Sequence, residues 1–252
     1  MERHFIVMSS SYSLGTRIAL DFIISDSVDF TGKKGICKRI IDECGDDVSI
    51  STHYIETDSK AWKSVQKLDP YFEDVKLISN EEDFISLIKK DRDLKGIDVA
   101  KYIISLISCT HLKLEKLCYL CYADYLQKYG ERLFEDKIFA YKYGPVVKSV
   151  YDKYKNYYKY TISENNDVKS INVSEEFQMP ARSRIMFAKD GAKKLSSIDK
   201  TLKKYGELSA GMLVEITHRN NTPWTMSGKG MTKNEVIIDS VIAKYHINEE
   251  PD

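Results

Sequence analysis

The hydrophobic positions in the first 95 residues predict a small unit of strands and helices. Three segments are predicted to be strands: the short apolar run 5–8, the stretch 48–55, in which apolar residues alternate loosely with polar and β-branched ones, and the segment 75–78. Apolar residues recur at helical spacing over 16–24, and a second helix is expected over 34–44, with Gly45 at its end. Asn80 is suited to cap a third helix, whose first turn is acidic.

The chain after a charged segment at 91–96, which predicts a linker, shows helical spacing almost throughout. Asp98 and Thr110 are candidate caps of two successive helices, and Gly130 is expected to end the second. The apolar side chains of that second helix form one stripe along it: Leu114, Leu117, Cys118, Cys121, Tyr122 and Tyr125. This stripe predicts a helix packed against a core.

The stretch 141–147, Tyr-Lys-Tyr-Gly-Pro-Val-Val, is predicted to be a corner between this helix and the next. Pro145 fits the first turn of a helix, because its missing amide has no partner there, and Gly144 is expected to need a positive φ. A further buried stripe should follow: Val146, Val147, Val150, Tyr151, Tyr154 and Tyr158. The polar segment 159–180 predicts an excursion or a hairpin. The remaining expectations are helices over 190–205, after the cap Ser209 and over 235–245, and a loop at 221–230.

These elements predict an α+β fold made of two domains. A small mixed α/β domain of unknown role is expected at 1–95, followed by a mostly α-helical domain at 96–252. With 252 residues, of which 42% are hydrophobic, the chain can bury a sizeable core.

Charge and targeting signals narrow the function classes. The 38 basic residues balance 38 acidic ones, so no overall field favours nucleic acid or an anionic membrane. The sequence has no apolar run long enough to span a membrane, and its N-terminal apolar run is too short for a signal peptide. The five scattered cysteines favour reduced thiols. We therefore expect a cytoplasmic protein that does not enter a membrane.

The pair Cys118 and Cys121 has the spacing of a metal or redox site. A thiolate zinc site needs two more ligands at suitable spacing, and both cysteines lie on the apolar stripe of a helix. Packed core thiols are therefore expected. The loop 9–16, with one glycine, does not have a phosphate-binding pattern, and the five histidines show no catalytic spacing. We predict no metal, no cofactor and no catalytic residues, and hence no enzyme, although a nucleotide-dependent activity of the first domain is a minor alternative.

Residues 141–160 hold seven tyrosines and five lysines against one aspartate. Interleaved aromatic and basic residues can line a groove for single-stranded nucleic acid. Helical spacing, however, places Tyr151, Tyr154 and Tyr158 on one face with the valines and most lysines off it. The interpretation that this spacing favours is a core face with a basic, solvated back, which is also suited to an acidic protein partner.

Several sequence blocks, in order, resemble one family. The run LEKLCYLCYA at 114–123 is followed by YGERLF at 129–134, AYKYGPVV at 140–147 and YGELSA at 205–210. The pairs Thr217-His218 and Pro223-Trp224 come last. Together the blocks resemble the SocA-like antitoxin family, also called the Panacea domain, over roughly 97–246. The chain departs from the family pattern at Tyr141, where the family has tryptophan, in the cysteines of the first helix, and in a longer gap before Trp224.

The resemblance implies a mostly helical, phage-associated domain that neutralises a cognate toxin by direct protein binding or delivers it to a bacterial protease complex. Two alternatives stay open: a nucleic-acid-binding transcriptional autoregulator and a phage-encoded interaction protein. The resemblance also selects nine residues as partner-binding or structural: Tyr141, Tyr143, Gly144, Pro145, Lys148, Thr217, His218, Pro223 and Trp224.

Overall fold

The computed structural model describes residues 1–25, 27–162, 170–172, 178–231 and 235–251. These residues form two compact units, the first covering 1–93 and the second starting at Leu94. The fold is α+β with a mostly helical second unit, as predicted.

The first unit is built on a four-stranded sheet. Its strands are β1 (Glu2–Ser11), β2 (Thr16–Ile23), β3 (Ser51–Thr57) and β4 (Lys76–Leu77). The strand order is β3-β1-β2-β4, and only β4 pairs in the parallel direction. The three predicted strands are therefore confirmed, with β1 extending beyond its apolar run.

Helices cover both faces of this sheet. They are α1 (Ser27–Cys44), α2 (Trp62–Leu68) and α3 (Glu81–Arg92). Side chains of successive strand residues point to opposite faces, so Phe5 and Val7 pack against α1 and α3, whereas Ile6 and Met8 pack on the side of α2. Asn80 caps α3 as predicted, because its Oδ1 accepts a hydrogen bond from the Asp83 amide at 2.8 Å.

Two predictions for this unit are wrong. The helix expected over 16–24 is the strand β2, which is covered on both faces, so Ile18, Ala19 and Leu20 are buried in succession and show no period of two. The linker is expected over 91–96, but this predicted start is too early, because α3 continues to Arg92. Asp91 is buried and accepts hydrogen bonds from Ser11 Oγ at 2.6 Å and the Ser13 amide at 3.0 Å.

The second unit is organised around one central helix, α5. Its helices are α4 (Gly96–Leu106), α5 (His111–Tyr129), α6 (Lys148–Tyr154), α7 (Ala181–Phe187), α8 (Gly191–Tyr205), α9 (Ala210–Thr217), α10 (Pro223–Met226) and α11 (Asp239–Tyr245). α5 contacts α4, α8, α9 and α11, and all six residues of its predicted stripe are buried. Glu115 and Lys116, outside the stripe, are buried as well.

Most predicted helix ends in this unit are confirmed. Thr110 and Ser209 accept hydrogen bonds from backbone amides in the first turns of α5 and α9. Gly130 ends α5 with a φ of +69°. The prediction that Asp98 caps a helix is wrong, because Asp98 lies inside α4. Its carboxylate accepts a hydrogen bond from the Lys95 amide at 3.1 Å.

Two small sheets contradict the expectation that the chain is helical after residue 97. The first joins β5 (Ile138–Tyr141), β6 (Gly144–Val147) and β9 (Glu235–Ile237) in the order β6-β5-β9, with antiparallel pairing. The second is a hairpin of β7 (Ser170–Asn172) and β8 (Gln178–Pro180), one of the two alternatives for 159–180. Pro145 therefore lies in a strand and starts no helix, and the last predicted helix begins only at Asp239.

One residue of the second buried stripe is also placed wrongly. Val150 and Tyr154 are buried, but α6 ends at Tyr154, and Tyr158 is 73% exposed.

The loop expected over 221–230 contains the short helix α10. Among the described residues, no helix combines the length and apolar character needed to cross a bilayer.

Candidate functional site

The family-like stretch 141–147 folds into a tight hairpin. Tyr141 pairs with Gly144, which leaves Lys142 and Tyr143 as a two-residue turn between β5 and β6. Gly144 has a φ of +105°, as predicted. A Cβ at this position would lie 2.8 Å from the Nζ atom of Lys116, so a larger residue is excluded both by backbone conformation and by the neighbouring amine.

Two neighbouring residues of α5 hold the outer edge of this hairpin. β6 is an edge strand, and the polar backbone groups of such a strand need partners. Lys116 Nζ donates a 2.7 Å hydrogen bond to the Pro145 carbonyl, and the Val147 amide donates to Glu115 Oε2 at 3.2 Å. Lys116 is fully buried and Glu115 is 1% exposed, so both contacts are shielded from water.

Burial shifts the pKa values of both side chains toward their neutral forms. It lowers the pKa of Lys116 to about 7, against the attraction of Glu115 and Glu249. It raises the pKa of Glu115, whose Oε1 lies 3.4 Å from His111 Nε2. The amine of Lys116 therefore titrates near neutral pH while it holds the hairpin.

The other strand of the hairpin is held by an aromatic pair. Trp224 Nε1 donates a 2.8 Å hydrogen bond to the Tyr141 carbonyl. The ring of His218 stacks on Trp224 with centroids 3.7 Å apart and an angle of 4° between the planes. His218 directly follows the last residue of α9, and its ring makes its main contact in this stack.

The short helix α10 places Trp224 at this position. Pro223 occupies the first turn of α10 and is buried, and Thr222 caps the helix. The hydroxyl of Thr222 also donates to the carbonyl of Thr217 at 2.8 Å, which ties α10 to the end of α9. Thr217 is fully buried, and a Cβ on Gly144 would lie 3.1 Å from its Oγ1.

The blocks that converge on this hairpin are similar to those of one domain family. Residues 114–225 match the family model described as the antitoxin SocA-like, Panacea domain. The match covers a little less than half of the chain, which is similar to the Panacea domain over that stretch. The match extends from α5 to α10 and is shorter than the range 97–246 suggested by resemblance. No curated protein and no solved structure matches the chain. This similarity indicates a role related to toxin–antitoxin systems.

The nine residues selected from the sequence divide into two groups in the second unit. Seven are packed in or against the hairpin and its supports: Tyr141, Gly144, Pro145, Thr217, His218, Pro223 and Trp224. Tyr143 and Lys148 face solvent. Tyr143 is 60% exposed at the turn, with Lys142 Nζ 5.5 Å from its ring centroid, and Lys148 forms an ion pair with Asp152.

A partly buried aromatic row links the hairpin to α6. The Tyr151 ring lies 5.1 Å from the Tyr141 ring and 5.1 Å from the His111 ring. Lys155 Nζ lies 5.8 Å from the Tyr151 centroid. The expected basic back of α6 is thus present on the solvent side, while the tyrosines of α6 pack inward.

Sequence reasoning missed a buried polar network at the C-terminal end. Two carboxylates flank the ring of His246, with Nδ1 2.7 Å from Glu249 Oε2 and Nε2 2.7 Å from Asp124 Oδ1. Tyr119 donates to Glu249 and Thr201 donates to Asp124, at 2.7 and 2.6 Å. This network fastens the last 3₁₀ turn (His246–Glu249) to α5 and α8.

The network holds its histidine charged. Burial lowers the pKa of His246, but hydrogen bonds to Asp124 and Glu249 outweigh it and raise that pKa to about 9. Burial also raises the pKa of Glu249. No local sequence signal marks these residues, because Tyr119 and Asp124 lie more than a hundred positions from His246.

The cysteines of α5 are packed core thiols, as predicted. Cys118 and Cys121 are fully buried and free, and burial raises the pKa of both. Within the ranges that the structure describes, no cluster of histidine, cysteine, aspartate and glutamate side chains has the geometry to hold a metal ion.

Proposed function

We propose that this chain is an antitoxin that neutralises a cognate toxin by direct protein binding, and that the turn Lys142–Tyr143 makes part of the contact. The main support is the 60% exposure of Tyr143 at the tip of a hairpin whose two strands are fixed by buried side chains. Tyrosine is among the residues that contribute most at protein interfaces. Because the hairpin is held before binding, little conformational entropy is lost on association.

The buried members of the family motif support this turn and do not touch the partner. Gly144 permits the tight turn, Lys116 and Glu115 bind the outer strand, and Trp224 binds the carbonyl of Tyr141. Since these groups are enclosed, their replacement should weaken binding only by loosening the hairpin. Direct contact is then left to the exposed residues at the tip and on α6.

The charge of the neighbouring segment favours an acidic partner surface. Five lysines and one aspartate lie between residues 141 and 160. The aspartate, Asp152, is shared by Lys148 and Lys155, with Lys155 Nζ at 3.1 Å from its Oδ1. The segment therefore keeps a net positive charge, which would speed association with a toxin that has acidic residues around its contact site.

The proposal assigns no catalysis to this chain. Delivery of the bound toxin to a protease complex is a further step that the same contact would serve. The lysines of α6 also support a second candidate, an autoregulator that binds DNA or RNA through phosphate contacts. Such binding should weaken strongly between 50 and 200 mM salt, as phosphate contacts do.

Co-expression with the protein encoded beside it tests the proposal. We expect rescued growth and a complex on size exclusion. Tyr143→Ala should weaken that complex at least tenfold, about 1.4 kcal/mol, with an unchanged melting temperature. Tyr71→Ala, on the half-exposed tyrosine of the first unit, is the matched control and should bind like the wild type.

Two results contradict parts of this proposal. Unaltered neutralisation and affinity in Tyr143→Ala would remove the hairpin from the contact. Direct neutralisation is overturned if no neighbouring gene product is toxic and none forms a complex with the chain. If the chain instead shifts its own promoter DNA with strong salt dependence and binds no protein, the regulatory candidate replaces it.

A further inference from the structure

The first unit carries an edge strand with little of the usual protection. In the part of the chain that the structure describes, β3 pairs with β1 alone. The register is continuous, from Thr57 opposite Glu2 to Ser51 opposite Met8, and contains no bulge. The strand sequence, STHYIET, has no proline and no lysine, the residues that commonly block an edge. Every second residue of β3 therefore turns an amide and a carbonyl outward, where another strand can pair.

A groove of about 650 Å³ lies beside this edge, between β3 and α1. Cys37 and Ile41 of α1 and Ile50, just before β3, give it an apolar floor, and Thr52 contributes the strand side. Gly35 of α1 also lines the groove, and the space beside it is open, because a Cβ at this position would meet nothing within 4 Å. The floor accepts aliphatic side chains, as grooves between an edge strand and a helix do when they bind peptides.

The helix side of the groove is basic. Lys34 and Lys38 lie one turn apart on α1, line the groove, and are exposed. Among the described residues, neither lysine has a carboxylate within ion-pair distance. Carboxylates on the ligand would therefore be their natural partners.

We propose that this groove binds an extended segment of a partner protein in which aliphatic and acidic residues alternate. The segment pairs with the outer edge of β3 as an additional strand. Its aliphatic side chains point into the apolar floor, and its carboxylates meet Lys34 and Lys38. The main-chain hydrogen bonds supply affinity, whereas the floor and the lysines supply selectivity. The site belongs to the first unit and does not depend on the toxin contact proposed for the second unit.

Synthetic peptides test the proposal on the full chain. The probe is a fluorescent six-residue peptide of alternating valine and glutamate, titrated by anisotropy. We expect saturable binding that falls at least tenfold when lysine replaces glutamate. Two further peptides carry N-methyl groups on alternate amides. The first is methylated at the odd-numbered amides and the second at the even-numbered amides. One of the two should bind at least tenfold more weakly, because N-methylation removes the donors that face β3.

Variants of the chain test the same site. Lys34→Glu with Lys38→Glu should lower affinity at least tenfold, while Lys67→Glu, on α2 across the sheet, should leave it unchanged. Gly35→Leu should block the groove, and Gly35→Ala should keep the fold and most of the binding.

Three binding results overturn the proposal, and a fourth result concerns the oligomeric state. The binding results are no saturable binding, binding that neither N-methylated peptide weakens, and binding that Gly35→Leu leaves intact. A dimer in sedimentation experiments that Thr52→Lys dissociates would show that the edge is covered by a second copy of the chain, and would overturn it as well.

Discussion

Replacing Lys116 with methionine separates the cost of burying an amine from the value of its hydrogen bond. Methionine is similar in length, so the site stays filled, but the Pro145 carbonyl loses the donor that now lies at 2.7 Å. A buried acceptor left without a partner costs about 1–3 kcal/mol. That loss does not depend on pH, whereas the cost of burying the ammonium form does.

The sign of the pH effect follows from the lowered pKa. The folded chain holds the pKa of Lys116 at about 7, compared with 10.5 for a free lysine. Between these values the unfolded chain binds a proton that the folded chain does not, so this lysine makes wild-type stability rise with pH. The slope is about 1.4 kcal/mol per pH unit. Lys116→Met lacks this slope, and its stability deficit relative to wild type should grow by about 2 kcal/mol from pH 7 to pH 9, because the slope reaches only half of its full value at pH 7.

Urea denaturation followed by tryptophan fluorescence measures this difference. The chain has two tryptophans, and Trp62→Phe leaves Trp224, beside the hairpin, as the reporter of the second unit. Lys128→Met, on an exposed position of the same helix, is the control and should show no such dependence. An equal deficit of Lys116→Met at pH 7 and pH 9 would refute the reasoning, because it would mean that water reaches the amine and its pKa is ordinary.

Three other substitutions test the packing of the second unit. Leu117→Ala should lower the free energy of unfolding by about 2–5 kcal/mol, measured by urea denaturation, because it leaves a cavity in the centre of α5; a change near zero would contradict a packed core. Gly144→Ala should lower the melting temperature more than Gly130→Ala, since both have positive φ but only Gly144 meets Lys116, and equal losses would exclude the clash. His246→Gln should destabilise most near pH 6 and least above pH 9. The pKa of His246 is raised to about 9 in the folded chain, so the charged ring stabilises the fold fully below pH 6.5 and loses this effect as the pH rises through 9. The reverse trend would show an uncharged ring.

Local signals predicted the ends of elements better than their type. Asn80, Thr110 and Ser209 cap helices, because a short polar side chain can bond a free amide whatever surrounds it. Gly130 and Gly144 have positive φ for an equally local reason. These features depend on a few neighbouring residues, so the sequence alone reveals them.

Strands were misjudged where their partners are distant in the chain. β2 is covered on both faces, and its consecutive buried residues imitate helical spacing. β6 and β9 are short strands that both flank β5, although more than eighty residues separate them. Pro145 fits an edge strand as well as a helix start, since its missing amide leaves no donor unpaired in either case.

The candidate site divides in the same way. The sequence by itself determined the family resemblance, the positive φ of Gly144 and the amphipathic helices, because these depend on residue type and short spacing. Only the tertiary structure decided that Lys116 and Glu115 bind the hairpin, that Tyr143 is exposed while Trp224 is buried, and that two carboxylates flank His246. Such burial and pairing arise from contacts between residues far apart in the chain, and no local pattern encodes them.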